Sequence, residues 1–281
     1  MHKLVLGLIG LAISFGVHAQ SVDTLKKIRE SKTITLGYRT DSPPFSFAGP
    51  DGQAAGYSVD LCKRFVASLE ATMKGATLVA KWVALTAANR FDQVASGAVD
   101  LECGNTSATL TRMERFDFSN LIFLDTGAIL MLAEAKVGRL SDFSGKTIGV
   151  VGNTTTEASL KAALKERLID AKVVIVKDDA EAMAAIQARK LDGFAADRVK
   201  LVALAARQPD VKYHLIQEDF AIETYALMMR RDPAFRLAVN RAISQIYRTG
   251  AIVGIYDRWL APLGKPGPLL TAMYILNATP E

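Results

Sequence analysis

Thr147-Ile148-Gly149-Val150-Val151-Gly152-Asn153-Thr154-Thr155-Thr156-Glu157 reads as a strand, a turn and the start of a helix. A β-branched apolar run stops at Gly152-Asn153, and Thr154 with Glu157 three residues on has the spacing of a capping box. A helix over 155–167 is expected, then a strand at 172–176, a helix at 180–188, a strand at 191–196 and a helix at 199–206. Such alternation argues for an α/β unit with a largely parallel sheet.

Upstream the same rhythm runs once more. Residues 33–38 read as a strand and are followed by a Pro-rich loop. Val59, Cys62, Phe65, Val66 and Leu69 then recur at helical spacing, with Ser58 placed as the cap. A strand at 78–83, a helix at 89–96 stopped by Gly97 and a strand at 99–103 complete that series. Two α/β lobes follow from the restart at Gly145. The apolar segments 128–133 and 225–229 belong to neither series and read as two hinge strands. The expected division is a leader over 1–19, lobe 1 over 20–130 plus 225–281, and lobe 2 over 131–224, with two helices in 232–259 packing back on lobe 1.

The leader is read from His2 and Lys3, the apolar run 4–17 and the small-residue site Val17-His18-Ala19. About fourteen apolar residues fall short of the roughly twenty that span a bilayer, so a secretory signal is expected rather than an anchor. Without a Cys at the cleavage junction, the expectation is a free, monomeric periplasmic protein.

Composition excludes several classes of function. The 34 Lys and Arg are interspersed with 29 Asp and Glu, which leaves no basic stripe for a nucleic acid. Of three His, two lie in the leader, so His214 is alone; multi-histidine metal sites are excluded and it reads as a strand-surface imidazole. No metal and no cofactor are expected. Cys62 and Cys103 are the only cysteines, and an oxidising periplasm permits either a disulfide or two buried thiols.

Ligands of open α/β sheets gather at the carboxyl ends of strands, so the loops there are the candidate site. Arg39 follows the first strand, in a loop whose Phe45 and Phe47 offer an apolar wall. Arg90 lies in the first turn of a helix, where the dipole disfavours a cation unless an anion sits close by. Asn105, Thr106 and Ser107 form a small polar segment, and the planar fork of Arg112 suits a carboxylate. Thr154 and Thr155 sit where free helix N–H groups favour an anion, although capping alone also explains them. Asp197 suits either an amino group or a helix cap.

These features together resemble the polar amino-acid-binding proteins of ATP-driven uptake systems, above all their glutamate/aspartate branch. The resemblance rests on Gly56-Tyr57-Ser58-Val59-Asp60-Leu61, Asn89-Arg90, Asp100-Leu101-Glu102-Cys103-Gly104, Thr111-Arg112, residues 145–150 with Thr154-Thr155, and Tyr256-Asp257-Arg258-Trp259. It implies a two-lobed type II periplasmic-binding fold closing at two hinge strands, an inner-membrane ABC permease as partner, and a small amino acid as ligand. By position, Arg112 with Thr154 and Thr155 would clamp the α-carboxylate, and Asp197 with the 105–107 segment would hold the amino group. Arg39 and Arg90 would face the side chain, which implies a second carboxylate and hence glutamate or aspartate. Two ligand-site positions depart from that branch: Ala87 where relatives often carry a hydroxyl, and Asp179 where they can carry His. The branch also has a cysteine in the returning hinge strand that 225–229 lacks, so any disulfide would have to use Cys62. Those departures keep a polar amino acid other than glutamate or aspartate as the alternative ligand, and periplasmic cyclohexadienyl dehydratases, which resemble these proteins as well, supply the alternative of an enzyme.

Overall fold

The computed structural model describes residues 23–135 and 137–281; the expected leader lies outside them. α1 (Thr24–Ser31) leads into β1 (Thr33–Arg39). The Pro-rich loop folds into a small antiparallel sheet of β2 (Asp41–Ser42), β3 (Ser46–Ala48) and β4 (Ala54–Ala55). Then come α2 (Tyr57–Thr72), β5 (Val79–Leu85), α3 (Arg90–Ala95), β6 (Leu101–Glu102), the single turn α4 (Leu110–Met113) and β7 (Phe116–Leu132). The second series is β8 (Thr147–Val151), α5 (Thr155–Glu166), β9 (Lys172–Val176), α6 (Asp179–Gln187), β10 (Gly193–Asp197), α7 (Arg198–Ala206) and β11 (Tyr213–Leu215). The chain returns through β12 (Ala221–Arg230) and ends in α8 (Pro233–Arg248), α9 (Ala251–Leu260) and α10 (Pro268–Leu276).

One nine-stranded sheet holds both series, in the order β5-β1-β6-β12-β7-β10-β8-β9, with β11 beside β7. β1 pairs in parallel with β5 and β6, and β8 with β9 and β10. β7 and β12 are antiparallel and run side by side from Phe116↔Arg230 to Gly127↔Ala221, so this pair is the spine joining the two parallel halves. The hinge reading caught only the far part of β7. The part before residue 128 carries Asp117, Ser119 and Asp125, which interrupt the apolar run yet are buried and partnered: Asp117 accepts from the Asp232 amide, Ser119 from the Leu227 amide and Asp125 from the Val199 amide.

Each half has its own core. In the first, Ile34 and Leu36 of β1 meet Leu61 and Phe65 of α2 and Ile243 and Ile246 of α8. In the second, the sheet is covered on both faces: Met183 and Ile186 of α6 with Leu201 of α7 on one, Leu160 and Leu164 of α5 with Phe143 on the other. Strands buried on both sides are apolar on both faces, which is why residues 148–151 and 193–196 are unbroken apolar runs within the expected strands.

Three local expectations are corrected. Ser58 does not cap α2, because the helix begins one residue earlier: Gly56 is the cap at φ 127°, where an added Cβ would stand 2.3 Å from the Phe45 carbonyl oxygen. Ser58 is thereby drawn into the first turn and its hydroxyl is buried without a partner. Phe45 is no wall of the cleft; it is fully buried between Tyr57, Phe123 and Tyr225. Phe47 stands apart from the site, edge-on to Trp259 and under the Arg207 guanidinium. Cys62 of α2 and Cys103 after β6 form a disulfide, and His214 is an exposed residue of β11.

Candidate functional site

Strands β1, β6, β8 and β10, from both sides of the spine, end at one cleft. Arg39 closes β1, residues 105–107 follow β6, Thr154 caps α5 and Thr155 opens it just after β8, and Asp197 closes β10. Arg90 opens α3 and Arg112 lies in α4. These residues line a single cavity together with Thr106, Thr156 and Lys200, around about 470 Å³ of empty space that includes its open mouth. Of the nine residues expected from the sequence, only Asp179 is outside the lining; it stands behind Lys200, whose Nζ lies 2.8 Å from its carboxylate.

The three arginines are held very differently. Arg39 is paired with Asp41, Nη2 to Oδ1 at 2.9 Å and Nε at 3.1 Å. Burial raises the Asp41 carboxyl, but Arg39 and then Lys200 outweigh it and hold the group below the usual carboxylate range. Arg90 is only 3% exposed, and its guanidinium meets no carboxylate at ion-pair distance among the described residues. It donates instead to the Thr106 hydroxyl at 3.2 Å, to the Asn153 carbonyl at 3.2 Å across the cleft, and to the Ala87 carbonyl, with its face on the Phe91 ring. Burial, with Arg39 next, pushes Arg90 down to about 9. Arg112 donates from Nη1 to the Ser107 carbonyl at 2.8 Å. Burial lowers it too, against Glu223, Glu102 and Asp197.

Asp197 precedes α7, yet its side chain does not cap that helix. It accepts from Tyr225 at 2.5 Å, Thr156 at 3.0 Å and Asn105 at 3.2 Å, three donors drawn from both halves of the molecule. Thr154 does cap α5, accepting from the Glu157 amide at 3.1 Å, while Thr155 is turned to Glu223 at 2.7 Å. Glu223 also accepts from Ser107, and its carboxyl is raised by burial and then by Asp197. Glu102, fully buried behind Arg39 and Arg90, is raised by burial alone.

Lys200, Glu223, Asp41 and Thr156 escaped the sequence reading. Asp41 is two residues from Arg39, a same-face strand spacing, and Lys200 three from Asp197, a same-face helix spacing; both were discoverable once one partner was chosen. Glu223 gives no signal in the sequence, because the apolar run that marks the returning strand begins only at Tyr225 whereas β12 starts at Ala221. Among the described residues no group of three or more potential metal ligands occurs, and no helix is long and apolar enough to cross a membrane.

The geometry is a polar, mixed-charge cleft between two α/β halves, and comparison with known proteins agrees. Residues 34–262 match the profile of bacterial extracellular solute-binding proteins, family 3. The L-glutamate/L-aspartate-binding protein of Pseudomonas aeruginosa is 32% identical over 240 residues, covering 84% of this chain and 79% of that one. The glutamate/aspartate import solute-binding protein of Escherichia coli is 25% identical over 92% of this chain and 88% of its own length. In fold, the chain is similar to the solute receptor for L-cysteine of Neisseria gonorrhoeae, with a TM-score of 0.77 and 23% identity over 88% of this chain and 98% of that one. An ancestral amino-acid-binding protein, a precursor of cyclohexadienyl dehydratase, superposes with a TM-score of 0.72 and 25% identity over 84% of this chain and 99% of that one. The chain thus belongs to the bacterial extracellular solute-binding proteins, family 3, with the type II periplasmic-binding fold.

Proposed function

We propose that this protein binds glutamate or aspartate between two lobes in the periplasm, as a monomer, and delivers it to an inner-membrane ABC permease without transforming it. Arg112, Thr154 and Thr155 take the α-carboxylate, Asp197 with Asn105 and Ser107 takes the ammonium, and Arg39 and Arg90 face the side chain. The lobes are 20–130 with 225–281, and 131–224, and they close by bending in β7 and β12.

Arg90 carries the choice of an acidic ligand. Arg39 is already neutralised by Asp41, so two arginines no longer count equally. Arg90 alone is a buried side-chain-end guanidinium without an ion-pair partner among the described residues. An uncompensated buried charge costs several kcal/mol, and a ligand carboxylate removes that cost whereas an amide or an aliphatic chain does not. The names of the relatives from P. aeruginosa and E. coli support the same ligand class.

Thermal unfolding of the mature protein, stripped of carried-over ligand, against the twenty amino acids and several dicarboxylates tests this. A ligand at a hundred times its Kd stabilises the folded state by about 2.7 kcal/mol. The expected outcome is a raised midpoint with glutamate or aspartate and none with leucine or lysine; a shift confined to neutral or basic amino acids overturns the assignment. Incubation with prephenate or arogenate should yield no product.

A further inference from the structure

Asp179 and Lys200 pose a problem for an acidic ligand that only the structure reveals. A buried carboxylate beside the side-chain end of the site opposes a second carboxylate, yet Asp179 does not reach the cavity. Lys200 stands between them, lining the cavity with its Nζ 2.8 Å from Asp179. Both are almost fully buried, at 7% and 2% exposure. An ammonium has three donors, and Asp179 faces one side of it. No other carboxylate lies within 4 Å of Lys200 Nζ and no other protein acceptor engages it among the described residues, which leaves donor capacity for a group held in the cavity that Lys200 lines.

Lys200 also belongs to the right end of the cleft. It follows Asp197 by three residues on α7, so the helix presents the ammonium-binding carboxylate and this cation one turn apart on one face. Across the cleft, the Arg39–Asp41 pair is close enough for Lys200 to help hold Asp41 ionised. The four groups therefore alternate in sign from one half to the other: Arg39, Asp41, Lys200, Asp179.

We propose that Lys200 is a specificity-determining residue, donating a charge-assisted hydrogen bond to the side-chain carboxylate of the bound amino acid while Asp179 behind it holds its stem and charge in place. This inference rests on the acidic-ligand reading. Asp179 is thereby a positioning residue for Lys200 and does not touch the ligand. An amide oxygen accepts a weaker bond from this cation than a carboxylate does, so the pair raises affinity for acids over amides.

Lys200→Met alone leaves Asp179 buried and unpaired and could fail by instability, so the decisive variant is the double one, Lys200→Met with Asp179→Asn, in which no charge is stranded. Calorimetric titration of the wild type and the double variant with glutamate, aspartate, glutamine and asparagine reads the effect. Loss of one charged hydrogen bond is expected to weaken acid binding by about 10- to 100-fold, with amide binding changed less than about threefold. A folded double variant with wild-type affinity for acids overturns the role of Lys200 and makes the pair a staple between α6 and α7. If the wild type binds no acidic amino acid, the acidic-ligand reading itself fails and the inference falls with it, so the two failures are told apart by the wild-type titration.

Discussion

Arg90 is buried and Arg112 half-buried, and neither has a carboxylate at ion-pair distance among the described residues, but they sit at opposite ends of the proposed ligand. Every α-amino acid has an α-carboxylate, so Arg112→Ala is expected to abolish binding of all of them. Only acidic ligands present a carboxylate to Arg90, so Arg90→Ala is expected to cost about 30-fold or more for glutamate or aspartate and little for any neutral amino acid that binds. Calorimetry on both variants checks this, and equal losses across ligand classes in the two would contradict the assigned ends. At this scale the sequence was informative where residues follow strands, because topology alone sends those positions to the cleft. It was silent on which charge meets which. Arg39 looked as free as Arg90 until Asp41 was found 2.9 Å away, and Lys200 looked like an ordinary helix residue.

Among the elements, α2 and the segment after β6 are tied by the Cys62–Cys103 disulfide, whose Cα atoms are 6.2 Å apart and whose partners are 41 residues apart in sequence. A closed loop of that length lowers the entropy of the unfolded chain enough to contribute roughly 4 kcal/mol in the loop-closure picture. The Cys62→Ala, Cys103→Ala variant is therefore expected to lose about 2–4 kcal/mol in urea unfolding while binding its ligand with unchanged affinity, since neither cysteine lines the cleft. The sequence left two thiols and a disulfide equally open, because pairing depends on how α2 lies against β6. Periodicity located the helices and strands of both series to within a residue or two. The β2–β4 meander and the part of β7 before residue 128 carry too few periodic positions, or too many buried polar ones, to be read.

The whole molecule is joined by a spine with an acidic knot. Tyr225 of β12 touches Asp197 at 2.5 Å and Asp125 of β7 at 3.2 Å. One hydroxyl has one proton to give, so the second contact is satisfied when Asp125 itself is protonated and donates. Burial, and then Asp197, push Asp125 up to about 8. Burial likewise raises Glu102, Asp179 and Glu223. A carboxyl whose folded value lies above its unfolded one, near 4, keeps a proton that the unfolded chain has released. Its stabilisation is present at low pH and is lost as pH rises from about 4 to about 8, with a slope for Asp125 alone of up to about 1.4 kcal/mol per pH unit. The ligand-free protein is expected to be less stable at pH 8 than at pH 5.5 in urea titrations, and Asp125→Asn, which still offers an acceptor to the Val199 amide and a donor to Tyr225, should flatten the dependence. An unchanged slope in that variant would place the titrating group elsewhere.

Alternating periodicity, turn residues and the restart at Gly145 were enough to set two α/β series and to direct eight of nine site residues to one cleft, because the handedness and direction of strand–helix units are properties of the local chain. Charge pairing was decided only in three dimensions. The bonds of Arg90 to Asn153, Asn105 to Asp197, Lys200 to Asp179 and Tyr225 to Asp125 join residues 21 to 100 positions apart. Coulomb and hydrogen-bond energies depend on ångström distances and on burial, and neither is written in the order of residues along the chain.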